Sequence, residues 1–335
     1  MTLPEVRPVT APAVTLGSVG VGARILRLLN RYSFALALLL VVVLLIGNLL
    51  SETGGFGLTS QLADMAPYVL AGMASTPAII SGGGGFDLTI SPVMYLIGGI
   101  FVVWLVPAGL GGAVAIPLVL LAGALMGAFN AVLIMLLRVP PVVVTLSMYF
   151  VLLGVDLLVV PAPVSLSGGW VSHLSGSVGP IPGAVFTIGA PLLIWFLLGL
   201  TPYRRTLLTV GSNGPAAFSA GVNVPLVRVM AFALGGMFAA IGGLALLSLE
   251  GSVNASYAPD YALLGFTAVA LGGTSLWGGR GGLFGSLLGG AAIYLLASWL
   301  QILQVNPSWD QVVYGALLIL AVVTMGFVQR GSAPS

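Results

Sequence analysis

Residues 209–224 read TVGSNGPAAFSAGVNV, the longest polar interruption with basic flanks in a chain that is otherwise mostly hydrocarbon. Either Ser212 or Asn213 can cap the start of a helix, Pro215 suits its first turn, and Gly221 can end it in a left-handed conformation. The pattern predicts a short helix over residues 214–220, outside the membrane. Such a short helix buries too little to be stable alone, so it either docks against a partner surface or is an ordinary loop between two spans.

The composition identifies an integral membrane protein. Hydrophobic residues make up 59% of the chain and charged residues 5%, and the mean hydropathy is +1.15. No soluble globular domain of this length has such a composition. The basic residues are ten arginines against eight acids, and a net charge of +2 is too small to indicate nucleic acid as a partner.

Ten segments are apolar over approximately the length that crosses a hydrocarbon core of about 30 Å. They are residues 33–50, 64–81, 90–107, 113–137, 142–160, 184–201, 228–249, 261–275, 283–303 and 310–328. We therefore expect an all-α, polytopic membrane protein of about ten transmembrane helices.

The arginines predict the orientation. Arg24, Arg27 and Arg31 precede the first segment, which by the positive-inside rule places the N-terminus in the cytoplasm. With ten spans, all the arginines then fall on the cytoplasmic side, together with both termini. Five acids fall outside: Glu52, Asp64, Glu250, Asp260 and Asp310.

Glycine-rich runs interrupt two of the spans. Residues 82–85 are four glycines, and Gly272–Gly273 follow a span of only about fifteen residues. Non-helical backbone at membrane depth is tolerated where it is buried in protein or lines a wet cavity, so these runs are candidates for a transport pathway. The alternative is close helix packing through small residues.

A short repeat suggests internal symmetry. The sequence GALMG at residues 123–127 resembles GSLLG at residues 285–289, five spans later. An odd number of spans between copies predicts an inverted repeat, although a weak one.

Two acids fall near or within the membrane. Asp87 follows the four glycines and precedes a helix, so it either caps that helix or faces water in the pathway. Asp156 lies near the outer end of the fifth span, which favours a simple interfacial residue over a proton relay.

We find no catalytic centre and no metal site in the sequence. The chain has no cysteine and one histidine, His173, which excludes thiolate and multi-histidine metal sites. The run GGTSLWGGRGG at residues 272–282 lacks the lysine of a phosphate-binding loop. Nucleotide binding by this chain is therefore not expected.

Four motifs, in order along the chain, resemble a known family. They are GGGFDLT at residues 83–89, GAFNAVLI at 127–134 with PPVVVTL at 140–146, GSN at 211–213 with Ala216, Ala217 and Gly221, and GGTSLWGGRG at 272–281. Together they resemble the permeases of monosaccharide ABC importers, such as the ribose permease. The resemblance runs from about Met65 to the C-terminus.

The resemblance implies a division of the chain. Residues 1–32 and 329–335 would be cytoplasmic tails, and residues 33–328 a single permease domain with a coupling helix at about 211–221. The implied substrate pathway consists of Gly83, Gly84, Gly85, Phe86, Asp87, Asn130, Gly272, Gly273, Thr274 and Ser275. The implied contact with an ATPase consists of Gly211, Ser212, Asn213, Ala216, Ala217, Phe218 and Gly221.

The resemblance also implies partners. These are cytoplasmic ABC ATPase subunits that bind ATP and Mg, a periplasmic or lipid-tethered sugar-binding protein, and a second permease subunit in a bacterial inner membrane. The chain itself would hold no cofactor and would not be an enzyme. Its coupling stretch lacks the acidic residue usual in the family, Ala131 stands where glycine is usual, and residues 89–92 depart from the usual Ser-Val-Gly run. These departures fit one half of a heterodimeric pair.

Alternative functions remain open at this point. The same architecture could import a nucleoside, a branched-chain amino acid or a signalling furanose. An ion-coupled secondary transporter is disfavoured, because few acids lie within the spans.

Overall fold

Twelve α-helices make up most of the described chain. The computed structural model describes residues 35–51, 57–255, 261–306 and 308–330. The predicted tails fall outside these ranges apart from the end of the last helix, and Arg24, Arg27, Arg31, Glu52 and Asp260 also fall outside them. The helices are α1 (Ala35–Ser51), α2 (Leu58–Ile80), α3 (Ile90–Gly99), α4 (Ala115–Leu137), α5 (Pro141–Val159), α6 (Ala184–Gly199), α7 (Pro202–Ser212), α8 (Gly214–Ser219), α9 (Val224–Glu250), α10 (Tyr261–Leu271), α11 (Leu283–Ile302) and α12 (Ser308–Arg330).

Each of the ten predicted spans lies on a helix, and the all-α prediction is confirmed. Within the described ranges, four helices are long and apolar enough to cross a membrane unaided, namely α4, α5, α9 and α11. If the α6–α7 pair, bent by 89°, is counted as one span, it makes a fifth candidate. Shorter apolar helical stretches lie in α1, in α3 with the π-helix that follows it, in α10 and in α12. Helix α2 contains Pro67 and Pro77. Helix α3 continues directly into a π-helix, Ile100–Leu105.

Helices α2 and α9 form the centre of the structure. Helix α9 packs along α4, α2 and α3, and α2 also packs against α10 and α11. Helix α9 is buried over most of its length, whereas most residues of α4 and α5 are at least partly exposed. In a membrane protein an exposed apolar face is available to lipid or to another subunit.

Glycines allow the closest helix contacts. A Cβ at Gly123 or Gly127 of α4 would collide with the backbone of α9 at Gly236 and Phe232. In the second copy of the repeat, a Cβ at Gly285 of α11 would collide with Gly272, and one at Gly289 with Ala268. Both copies of the repeat are therefore close helix-packing motifs; their inverted relationship stays a prediction.

The segments at the predicted outer side fold onto one another. Strand β1 (Val164–Ser165) pairs with β4 (Ser252–Val253), and β2 (Ser177–Val178) pairs with β3 (Ile181–Pro182). A short 3-10 helix, Trp170–His173, lies between β1 and β2 in the sequence. The Trp170 indole donates to the Gly111 carbonyl at 2.8 Å. This hydrogen bond attaches the 3-10 helix to the connection between α3 and α4.

Candidate functional site

The predicted short helix is present as α8, residues Gly214–Ser219. Of the two possible caps, Asn213 is the one used: its side-chain oxygen accepts from the Ala216 amide at 3.0 Å. Gly221 ends the segment with a φ of 85°, a conformation that glycine adopts without strain. Gly211 and Ser212 belong to the end of α7, so the predicted coupling stretch comprises parts of two helices.

One side of α8 is packed and the other is open. Ala217 is 2% exposed, whereas Phe218 is 70% exposed. Ala216 and Ser219 are also exposed. Burying a phenylalanine stabilises an interface by the hydrophobic effect, so Phe218 is available as an anchor for another surface.

Helix α7 lies across the end of α6 at 89°. Its Leu207 and Val210 are buried against the protein, which holds the helix in this orientation. The Tyr203 hydroxyl donates to the Val227 carbonyl at 3.2 Å, and burial raises the pKa of the Tyr203 phenol above its ordinary value. The Arg204 guanidinium lies 5.5 Å from the centroid of the Trp195 ring. The segment that carries α8 is therefore firmly attached to α6 and α9.

Three glycine-containing segments meet at the end of α7, at a place we call the glycine junction: Gly82, Gly211 and Gly278–Gly279. A Cβ at Gly211 would collide with the Ile80 carbonyl and with Gly279. A Cβ at Gly278 would collide with Gly82. The Gly279 amide donates to the Ile80 carbonyl at 3.0 Å. The structure thus brings the first residue of the predicted coupling stretch, Gly211, into contact with both glycine-rich breaks.

Asp87 is the centre of a hydrogen-bonded cluster. Its Oδ1 accepts from the Thr89 amide at 3.0 Å, from the Thr89 hydroxyl at 2.6 Å and from Asn130 Nδ2 at 3.5 Å. Asn130 Nδ2 also donates to Thr89 Oγ1 at 2.7 Å. The side chain is 8% exposed. Of the two roles considered for Asp87, this geometry matches the capping of the turn that opens α3.

The remaining predicted pathway residues lie close to this cluster or within the second break. The Phe86 ring contacts that of Phe266 at 4.7 Å, and the Phe86 carbonyl accepts from Thr145 Oγ1 at 3.1 Å. Gly83 is exposed, and a Cβ added at the half-buried Gly84 would meet nothing within 4 Å in the described chain. The buried residues of the set are Gly85, Gly272, Thr274 and Ser275; Gly273 is half-buried. Tight packing of the glycines at residues 82 and 272 accords with the alternative of close helix contact, and their role in a pathway stays a prediction.

Arg228 connects two of these segments. Its guanidinium occupies the space beside Gly83, where Nη2 would lie 2.7 Å from an added Cβ, and beside Gly214, at 3.5 Å. Arg228 Nε is buried without a hydrogen-bond partner in the described part of the chain. The start of α9 therefore contacts both the α2–α3 connection and the first residue of α8. The signal in the sequence was its position as the basic flank of residues 209–224.

Asp156 is buried in the protein, whereas its interpretation as an interfacial residue implied an exposed carboxyl; its depth in the membrane stays a prediction. The side chain is 2% exposed, and both carboxylate oxygens are buried without a hydrogen-bond partner among the described residues. Position along the span suggested the membrane surface, but the helix turns this residue inward, on the same face as Thr145 and Leu152. Helical periodicity was the signal that could have found it, since residues 145, 152 and 156 share one face.

A small cavity lies between α3 and α9, near the predicted outer side. It is lined by Tyr95, Gly98, Gly243, Leu247, Glu250 and Val253, among others. The Tyr95 hydroxyl and Glu250 Oε1 are 3.5 Å apart. In the described residues no group of three or more His, Cys, Asp and Glu side chains could hold a metal ion.

Apolar helices packed around a glycine-rich interior define a multi-pass membrane protein. The family model that matches residues 57–322 is described as the branched-chain amino acid transport system / permease component, and the chain belongs to this family.

Three curated relatives are similar over most of their length. The probable ABC transporter permease protein YphD of Escherichia coli is 34% identical over 292 residues, which is 85% of this chain and 87% of that protein. The autoinducer 2 import system permease protein LsrD of Yersinia enterocolitica is 30% identical over 315 residues, 88% of this chain and 92% of the relative. The fructose import permease protein FrcC of Rhizobium meliloti is 29% identical over 289 residues, 83% and 80% of the two chains. No solved structure matches the chain.

Proposed function

We propose that this chain is the membrane permease subunit of an ATP-driven ABC importer that carries a sugar or sugar-like solute into the cytoplasm. The substrate class follows the relatives, whose names specify fructose and autoinducer 2 import. A ribose-like monosaccharide is the specific expectation from the sequence motifs. The chain itself catalyses no reaction and needs no cofactor; ATP and Mg are bound by a partner ATPase.

The observation that carries the proposal is α8. A capped helix with a 70% exposed phenylalanine follows the helix that crosses the end of α6. An apolar anchor of this kind, on a segment flanked by Arg205 and Arg228, is suited to a groove on a cytoplasmic ATPase. Movement of the ATPase would then reach the helices through Arg228 and the glycine junction, since both contact this segment.

The other parts of the importer follow from this role. A periplasmic or lipid-tethered binding protein delivers the solute to the outer side. A second permease subunit, identical or homologous, completes the pathway. The complex resides in a bacterial inner membrane with both termini of this chain in the cytoplasm.

The test is transport by the reconstituted complex. The permease is purified with its co-purifying ATPase, placed in proteoliposomes with the binding protein, and offered radiolabelled ribose, fructose, the autoinducer 2 furanose or leucine. We expect uptake of one of the first three solutes, dependent on ATP and on the binding protein.

Two outcomes would contradict the proposal. Uptake of leucine alone would favour the second candidate, a branched-chain amino acid permease, which the description of the family model supports. Sugar uptake that does not depend on ATP and is abolished by a protonophore would indicate a secondary transporter.

A further inference from the structure

The two acids near or within the membrane have opposite surroundings. Oδ1 of Asp87 accepts from the amide and hydroxyl of Thr89 and from Asn130 Nδ2. The carboxylate of Asp156 has no donor in the described chain, although the residue is only 2% exposed. The capping role that explains Asp87 therefore does not explain Asp156.

An unpaired buried carboxyl group destabilises a folded chain. Removing a polar group from water costs free energy unless a hydrogen bond replaces the lost hydration. A leucine at position 156 would carry no such cost, and its neighbours Val155 and Leu157 are apolar. Groups of this kind in membrane spans are found where a substrate, an ion or a proton is handled.

Asp156 lies near an irregular helix, which supports a role in handling a substrate, an ion or a proton. Helix α5 packs against α3, and an added Cβ at Gly99 would lie 2.7 Å from Val160, one helical turn beyond Asp156. From residue 100 onward α3 becomes the π-helix Ile100–Leu105. Single turns of π-helix occur frequently at functional sites. The unpaired carboxyl thus lies close to a change in helix type.

A small cavity also borders α3 where this helix packs against α9. Tyr95 and Gly98 line the cavity, and Glu250 and Ser252 supply further polar groups. The cavity leaves room for a small movement of α3, and small sliding displacements of packed helices are one route by which proteins change conformation.

We propose that Asp156, on the α5 face that packs toward α3, binds the hydroxyl groups of a polyhydroxylated solute during transport. A carboxylate offers two oxygens that accept hydrogen bonds, and adjacent hydroxyls of a sugar are matching donors. This inference rests on the proposed function, since it assigns a contact to the solute that the permease carries.

The test compares two substitutions in the full reconstituted complex. Asp156→Leu removes the cost of the buried carboxyl, so we expect a higher melting temperature together with at least a tenfold loss of ATP-dependent sugar uptake. Asp156→Asn keeps one acceptor oxygen and adds donors, so we expect an intermediate effect, seen mainly as a several-fold rise in KM. Gly154→Ala is the control, because Gly154 is exposed and an added Cβ meets nothing within 4 Å.

Melting temperature and sugar uptake, measured together, distinguish a functional role of Asp156 from a structural one. If Asp156→Leu lowered the melting temperature, the carboxyl would be a structural group and the inference would be overturned. Normal uptake by Asp156→Leu would overturn it as well. If both variants abolished an uptake driven by a proton gradient, Asp156 would carry a proton instead of contacting the solute.

Failure of the proposed function would be seen in the wild-type protein. A wild-type complex that imported only leucine would contradict both proposals, because that solute has no hydroxyl groups. A wild-type complex that imported a sugar, beside variants that imported it equally well, would contradict only the role of Asp156.

Discussion

Single hydrogen-bonding side chains hold the irregular segments of this permease in place. Oδ1 of Asp87 accepts from both the amide and the hydroxyl of Thr89, and Asn130 joins them from α4. The connection between α2 and α3 contains four consecutive glycines, which restrict the backbone very little. One carboxylate oxygen therefore does much to define the start of α3.

The first prediction distinguishes capping by Asp87 from contact with substrate. Asp87→Ala should reduce the free energy of unfolding by about 1–2 kcal/mol, since three donors lose their acceptor. Asp87→Asn retains an acceptor oxygen and should leave both stability and uptake close to wild type. Thermal melting in detergent and uptake in proteoliposomes measure the two effects. A severe loss of uptake in a stable Asp87→Asn variant would show that the charge serves transport.

The second prediction concerns the glycine junction. Gly211→Ala should destabilise the protein by about 1–3 kcal/mol, the usual cost of overpacking, because the new methyl group collides with the Ile80 carbonyl. Gly189→Ala in α6 is the control, as an added Cβ there meets nothing within 4 Å. Melting temperatures of the two variants provide the comparison. Equal melting temperatures would mean that the junction is loosely packed.

Helices α7 and α8 act as one structural element at the end of α6. Leu207 and Val210 attach α7 to the protein, and Ala217 attaches α8. Phe218 remains exposed on the opposite side. Because α8 has only six residues, its stability depends on these contacts and on the Asn213 cap.

The third prediction tests α8 as the ATPase contact. Phe218→Ala should weaken association with the ATPase by about 2 kcal/mol or more, roughly thirtyfold in affinity, if this side chain is an interface anchor. The fold should be unaffected, because the side chain is exposed. Phe196→Ala on α6 is a matched control: its ring is 64% exposed but lies on a predicted span. Co-purification of the ATPase with each variant is the measurement. Full retention of the ATPase by Phe218→Ala would show that Phe218 does not anchor it, and α8 would then be an ordinary connection between two spans.

At the scale of the whole molecule, charge is distributed unevenly along the chain. Arg138 and Arg280 lie in connections between helices, whereas Arg204 and Arg205 lie in α7 and Arg228 near the start of α9. The ten-span prediction places all five in the cytoplasm. Glu250 lies at the end of α9, next to the β1–β4 pair and the 3-10 helix. This asymmetry is the basis of the predicted orientation.

The fourth prediction checks this orientation with single cysteines, which are clean probes in a cysteine-free chain. Ser219→Cys on α8 should react with a membrane-impermeant maleimide only after the cells are permeabilised. Ser177→Cys in the β2–β3 hairpin should react in intact cells. Both positions are exposed, so access to each depends on the side of the membrane. Labelling of Ser219→Cys from outside would reverse the topology.

The amino-acid sequence by itself determined the fold class, the ten helical segments and the short capped helix α8. These features depend on local properties: apolar length, the capping ability of Asn213, and the conformational freedom of Gly221. The family resemblance was also visible in local motifs. Each of these signals lies within a short window of the chain.

Only the tertiary structure decided how the polar and glycine-rich residues are used. Asp87, a pathway candidate by position, accepts hydrogen bonds from Thr89 and from Asn130, which lies 43 residues away. Asp156, assigned to the membrane interface by its position, is buried without a hydrogen-bond partner among the described residues. The meeting of Gly82, Gly211 and Gly279 joins segments that are distant in sequence. Burial and hydrogen-bond satisfaction depend on which helix faces pack together, and that arrangement is a property of the whole chain.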